Sequence, residues 1–158
     1  MRNVYRALSV LCVISLLGAC ATGPKYSEIK SGIPGLKPTE GRIFVYRNTS
    51  MLVGGALQPV VFLNGLKVGV SSPGGFFFVD RAPGPMEVSA STEVEKRLTF
   101  DLAPGDVRYV HIYIGMGLFV GRAIPELVDE AVALKDMEGL SYTGSQLVPS
   151  SSPEAATK

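Results

Sequence analysis

The dipeptide Asn64-Gly65 stands between two short apolar runs, PVVFL at 59–63 and LKVGV at 66–70. A two-residue type I′ turn needs positive φ at both central positions, and Asn-Gly tolerates that better than almost any other pair. Residues 60–63 and 66–70 are therefore expected to pair as antiparallel neighbours. The rest of the chain must then supply strands that share the hairpin's buried face.

The neighbouring runs have the same period of two. RIFVYR at 42–47 is β-branched and aromatic, and FFFVD at 76–80 follows the break SSPGG. In MEVSAST, Met86, Val88 and Ala90 share one face and Glu87, Ser89 and Ser91 the other, so one side of that strand is expected to be wet. RLTFDL points Leu98, Phe100 and Leu102 inward before the turn Pro104-Gly105-Asp106. VRYVHIYI at 107–114 is apolar or aromatic on both faces and reads as the central strand, and LFVG at 118–121 as a short further one. Residues 130–138, EAVALKDME, form the one convincing helix, with Asp129 as its cap and Gly139 ending it in the left-handed conformation. Apolar residues at 46%, with 18 glycines and 11 prolines, fit short strands and many turns and exclude a disordered chain. The fold class expected is mainly β: a small antiparallel β-sandwich of about seven strands with one short C-terminal helix.

The start of the chain is of a different kind. Arg2 and Arg6 precede the apolar run Ala7 to Leu17, and the small residues Gly18 and Ala19 follow. These are the charged, apolar and cleavage parts of a secretory signal. The run is too short for the roughly 20 residues a spanning helix needs. Leu17-Gly18-Ala19-Cys20 resembles the bacterial lipobox, in which cleavage precedes a cysteine whose sulfur carries diacylglycerol. That resemblance implies a lipid on Cys20, with a further acyl group on its amine. Two or more chains anchor stably where one does not. Ala21, in place of the aspartate that favours inner-membrane retention, implies the outer membrane.

The expected division is a signal at 1–19, a lipidated Cys20 and flexible tether at 20–41, the β domain at 42–142 and a disordered tail at 143–158. A free tether of that length reaches roughly 70 Å. Loss of the signal lowers the basic side chains from 15 to 13 against 14 acidic, a net of −1. Such a chain has no basic field for nucleic acid. Cys12 leaves with the signal, so a single cysteine remains and the fold must rest on its core.

GRIFVYR, VVFLNGLKVG, FFFV, APGPMEVS, LTFDLAPGDVRYVHI and ELVDEAVALKDMEGL, taken in that order, resemble the bacterial lipoprotein family of domain of unknown function 2846, over about residues 41–142. The turn glycines at 65, 84 and 105 are similar to those of PEGA and carboxypeptidase-regulatory-like sandwich modules. The resemblance implies an envelope lipoprotein of unestablished activity and brings no catalytic residues with it; the expected display is toward the periplasm, with display at the cell surface the alternative. Pro85-Met86 departs from the family, where histidine and an aliphatic residue are common.

Candidate chemistry is sparse. Tyr109, His111 and Tyr113 share one face of the 107–114 strand, which reads either as an aromatic ligand platform or as a stripe covered by the late helix. His111 is the only histidine, so paired-histidine and HExxH metal sites are excluded. GMGLFVGR at 115–122 lacks the Gly-Lys-Ser/Thr ending of a phosphate loop and reads as a tight hairpin. No GxSxG elbow occurs. Glu130, Asp136 and Glu138 read as a solvated helix face. In NTSMLVGGALQP at 48–59, Met51, Leu52 and Val53 form an apolar patch within a surface connection, a candidate contact for a partner. The expected function is a non-catalytic binding or structural accessory module without cofactor or metal, held to the membrane through Cys20 and contacting an envelope protein. The alternative is a binder of a small glycan, lipid or peptide, or a weak hydrolase, using the Tyr109, His111 and Tyr113 face.

Overall fold

The computed structural model describes residues 21–49, 57–92, 95–115 and 121–145. Cys20 and the stretch Met51, Leu52 and Val53 lie outside the described residues, as do the signal, residues 118–120 of the expected short strand, and the tail from 146.

Among the described residues nine strands form two sheets: β1 (Gly41–Arg47), β2 (Val60–Leu63), β3 (Leu66–Val70), β4 (Gly75–Arg81), β5 (Gly84–Ala90), β6 (Lys96–Leu102), β7 (Val107–Gly115), β8 (Arg122–Val128) and β9 (Ser141–Tyr142). A five-stranded sheet runs β8-β7-β1-β4-β9 and a four-stranded sheet β3-β2-β5-β6. The Asn64-Gly65 hairpin forms as its sequence requires, with φ of 49° and 78° and Leu63 opposite Leu66.

Three features correct the sequence reading. The larger sheet is mixed, because β1 runs parallel to β7 and β4 parallel to β9. Its middle strand is β1, buried at all seven residues, whereas β7 lies one place nearer the edge. The described strands number nine, and β8 and β9 are the two without a signal. Pro125 interrupts the pattern of β8, yet the strand forms at the sheet's edge, where a missing N–H costs no ladder bond on the open side.

Cross-strand partners share a face, which sorts the larger sheet into two surfaces. Ile43, Val45, Phe77, Val79, Val110 and Ile112 face the smaller sheet's Val61, Leu63, Met86, Val88 and Ala90, all buried in one core. Contacts at two glycines show how close the sheets come: a Cβ on Gly69 would meet the Phe77 ring at 2.7 Å, and one on Gly41 the Leu102 side chain at 2.5 Å. The opposite face carries Phe44, Tyr46, Phe76, Phe78, Tyr109 and His111, and two short helices lie over it.

Those helices are α1 (Tyr26–Ile29), followed by a 3₁₀ turn at Lys30–Gly32, and α2 (Glu130–Met137). Asp129 begins α2 through its backbone carbonyl, which accepts from Val132 and Ala133 N–H, and makes no side-chain cap bond. Glu138 closes α2 in the right-handed region, and Gly139 is not among the glycines with positive φ, so the expected left-handed end is absent. The end is closed instead by the Leu140 N–H donating to the Met137 carbonyl at 2.8 Å.

The segment expected as a tether is docked at its beginning. Ala21 N–H donates to the Pro73 carbonyl, Tyr142 N–H to Pro24, and Tyr26 N–H to Leu140. Tyr26 is buried, edge-on to Phe76 with ring centroids 5.4 Å apart. A large aromatic ring with an apolar place to go outweighs the chain entropy that Pro and Gly would otherwise keep.

Candidate functional site

The helix-covered face of the larger sheet holds the residues singled out from the sequence. Phe44 stacks on Tyr109 at 5.3 Å and Tyr46 on His111 at 4.9 Å, because β1 and β7 are parallel and in register there. Tyr109, His111 and Tyr113 share that face but not an environment. Tyr109 is buried, His111 half-buried and Tyr113 51% exposed. The stripe is thus covered at one end by α2 and open at the other.

The helix carboxylates do more than face solvent. Tyr109 Oη donates to Glu130 Oε1 at 3.1 Å, and Tyr46 Oη to Asp136 Oδ2 at 3.2 Å. Asn48 Nδ2 also reaches Asp136, at 3.4 Å. Burial, with the adjacent carboxylate, pushes the Tyr46 and Tyr109 hydroxyls well above the usual phenol range, so both are held as donors. The third acid, Glu138, pairs with Lys30 at 3.3 Å on the surface.

His111 faces Glu126 across β8. Burial lowers its pKa; Asp136 and Glu126 pull it back up, while Arg47 lowers it further. A neutral imidazole stacked on a tyrosine is suited to packing or to accepting a hydrogen bond. Among the described residues no group of three His, Cys, Asp or Glu is placed to hold a metal ion.

Two buried arginines were missed by the sequence reading. Arg42 sits over the Phe78 ring at 4.5 Å and grips Asp80 with two bonds of 2.6 and 2.7 Å. Arg47 Nη1 donates to the carbonyls of Leu57 and Ser71, tying β1 to the loops that follow it. They are the first and last residues of RIFVYR and two of the chain's many charges, so no pattern marked them as interior.

Outside this face the chain offers shallow grooves. One of about 380 Å³ lies on the smaller sheet, lined by Phe62, Ser89, Ser91, Thr92, Glu95 and Arg97 among others. Arg97 there is engaged by Glu87 at 2.9 Å and Glu95 at 3.2 Å. A second of similar volume lies at the chain's first described residues, among Ala21, Thr22, Gln58, Ser72 and Thr143.

Residues 37–123 match the family model described as "Protein of unknown function (DUF2846)", more than half of the chain. The chain belongs to the DUF2846 family. The DUF2846 match runs from just before β1 into the start of β8, and both helices over the aromatic face lie outside it. A protein of Haemophilus influenzae strain Rd, described as uncharacterized, is 27% identical over 146 residues, covering 89% of this chain and 86% of its own. No solved structure matches the chain.

Proposed function

We propose that this DUF2846 protein is an envelope lipoprotein, held by acyl chains on Cys20 to the outer membrane and facing the periplasm, where its domain serves as a non-catalytic binding or structural accessory module. On this reading the two sheets form a sandwich of the PEGA-like kind, and Met51, Leu52 and Val53 are contact residues. The observation that carries it is the stretch Leu17-Gly18-Ala19-Cys20, which resembles a lipobox and stands immediately before Ala21, whose N–H is bonded to the Pro73 carbonyl. The aromatic face supports a structural role, because its buried phenols are committed to Glu130 and Asp136.

In-cell cross-linking of a C-terminally tagged chain, with a Cys20→Ser control, tests the reading. It predicts a thioether-linked diacylglycerol on Cys20 by mass spectrometry and an envelope protein captured reproducibly and lost in the control. Recovery of the chain in the soluble fraction, with Cys20 unmodified, overturns it.

A second reading is favoured by one observation, the exposed Tyr113 beside the half-buried His111 and Glu126. It makes the open end of the stripe a small-ligand face. Movement of the His111 ring resonances on adding glycans or lipids supports that reading, and an unmoved ring removes it.

A further inference from the structure

The outward face of the smaller sheet is shaped by one row of cross-strand partners. Phe62 of β2 pairs with Ser89 of β5, and Ser89 with Arg97 of β6. Paired residues stand on the same face, so the row reads large, small, large. Two strand spacings, about 10 Å, separate Phe62 from Arg97. Ser89 is therefore the floor of a trough whose walls are an aromatic ring and a guanidinium. The period of two puts Glu87 and Ser91 on the same face, to either side of Ser89 along the chain.

The groove of about 380 Å³ among these residues and a neighbouring one of about 560 Å³, whose lining includes Asn64, Pro85, Thr99 and Asp101, share Glu87. Together they follow β5 from Ser91 to Pro85, roughly 20 Å at the rise of an extended strand. A trough this long and straight suits an extended chain better than a compact molecule.

Its polar groups are held in place. Ser89 is 5% exposed, and its hydroxyl donates to the Glu95 carboxylate. Arg97 holds Glu87 through Nη1 at 2.9 Å and Glu95 through Nη2 at 3.2 Å. A guanidinium so engaged still has N–H groups to donate, and each carboxylate keeps lone pairs. The trough thus sets donors and acceptors beside an aromatic ring, a mixture that matches a molecule with hydroxyls on its rim and an apolar C–H face.

Charge narrows the class of ligand. Arg97 is the one Lys or Arg lining the trough among the described residues, against Glu87, Glu95 and Asp101, which disfavours an anion. A cation would have to compete with a guanidinium already bound to two carboxylates, whereas a hydroxyl needs only the lone pairs left over. A peptide gains most from unpaired backbone, and β5 is an inner strand of its sheet.

We propose that the trough along β5 binds an extended, neutral oligosaccharide, with a sugar ring against Phe62 and its hydroxyls on Ser91, Glu87 and Arg97. The inference goes beyond the reading above, since the site lies on the sheet opposite the Tyr113 and His111 face and stands whether or not Cys20 carries a lipid.

The test is proton–nitrogen correlation NMR of the full chain in a sugar-free detergent. The probes are cellotetraose and chitotetraose, whose β-links keep them extended, with the coiled maltotetraose and trilysine for comparison. The expected result is saturable movement of the Phe62, Ser89, Ser91 and Arg97 amides with a β-linked sugar, and at least tenfold weaker binding of maltotetraose. Phe62→Ala and Arg97→Gln should each weaken the binding at least tenfold. Arg97 is exposed, so Arg97→Gln should keep the thermal unfolding midpoint of the parent chain. Amides that move with neither β-linked sugar overturn the site, as does movement confined to the surroundings of His111 and Tyr113. Undiminished binding in Arg97→Gln overturns the placing of the sugar. A stronger response to trilysine, or an equal one to maltotetraose, overturns the class of ligand.

Discussion

At the scale of single residues, charge and ring chemistry set the behaviour of the aromatic face. His111 is held below its ordinary pKa of 6.5 chiefly by burial, although Asp136 and Glu126 oppose this. The unfolded chain then binds a proton more readily than the folded one, so protonation favours unfolding. Stability is expected to be unaffected by His111 above about pH 6.5 and to fall as pH drops through the lowered folded value. NMR titration of the ring should give a midpoint below 6.5, and the acid loss of stability should be smaller in His111→Gln; a midpoint above 6.5 contradicts the burial. Arg42 is the other decisive residue. Arg42→Ala removes a bidentate partner and leaves Asp80 beside an apolar ring, a change expected to cost about 3 kcal/mol. Urea unfolding measures it, and Asp80→Asn in the same background should recover part of the loss.

At the scale of elements, close approach between sheets is the sharpest constraint. Gly69 in β3 faces the Phe77 ring of β4, so the ring covers a strand that has no side chain there. Gly69→Val is expected to destabilise by about 2 kcal/mol through overpacking, because neither backbone can withdraw without breaking its ladder. Phe77→Leu in the same chain should relieve part of that cost, and thermal unfolding of the four variants reads the coupling. Elements that carry their own local signal were legible: the 60–70 hairpin, the alternating β5 and β6, and α2 each follow from turn chemistry or periodicity. What escaped was set by partners distant in sequence. β8 and β9 are strands because β7 and β4 offer open edges, and the parallel pairing of β1 with β7 joins residues some 65 positions apart. The stripe Tyr109, His111 and Tyr113 was legible as a face, but its unequal cover was not, since that depends on where α2 crosses β7.

At the scale of the whole molecule, the docking of residues 21–26 sets how far the domain can move from Cys20, which on the proposed lipoprotein reading is its anchor. Pro and Gly in residues 21–41 read as a tether of long reach, and the one contrary signal, Tyr26, is a single ring in a stretch without periodicity. Its burial against Phe44 and Phe76 turns the first residues into part of the body. This has a measurable consequence for a vesicle-bound chain treated with trypsin. Lys25 pairs with Ser141 through an isolated β-bridge and its Nζ bonds Ser141 Oγ at 3.0 Å, while Lys30 ends α1 and pairs with Glu138. Both bonds are expected to resist cleavage while Tyr26 holds the segment down, since a protease needs an extended, released backbone. Tyr26→Ala removes the ring and is expected to free the segment without unfolding the sheets, because none of the nine strands depends on it for its ladder. Trypsin should then release the domain into the supernatant at a markedly higher rate, with the far-ultraviolet signature of the sheets retained. Equal release rates from the two chains would mean that the backbone bonds of Ala21, Tyr26 and Tyr142 hold the segment without the ring. The free energy of docking would then lie in the backbone ladder and not in aromatic burial.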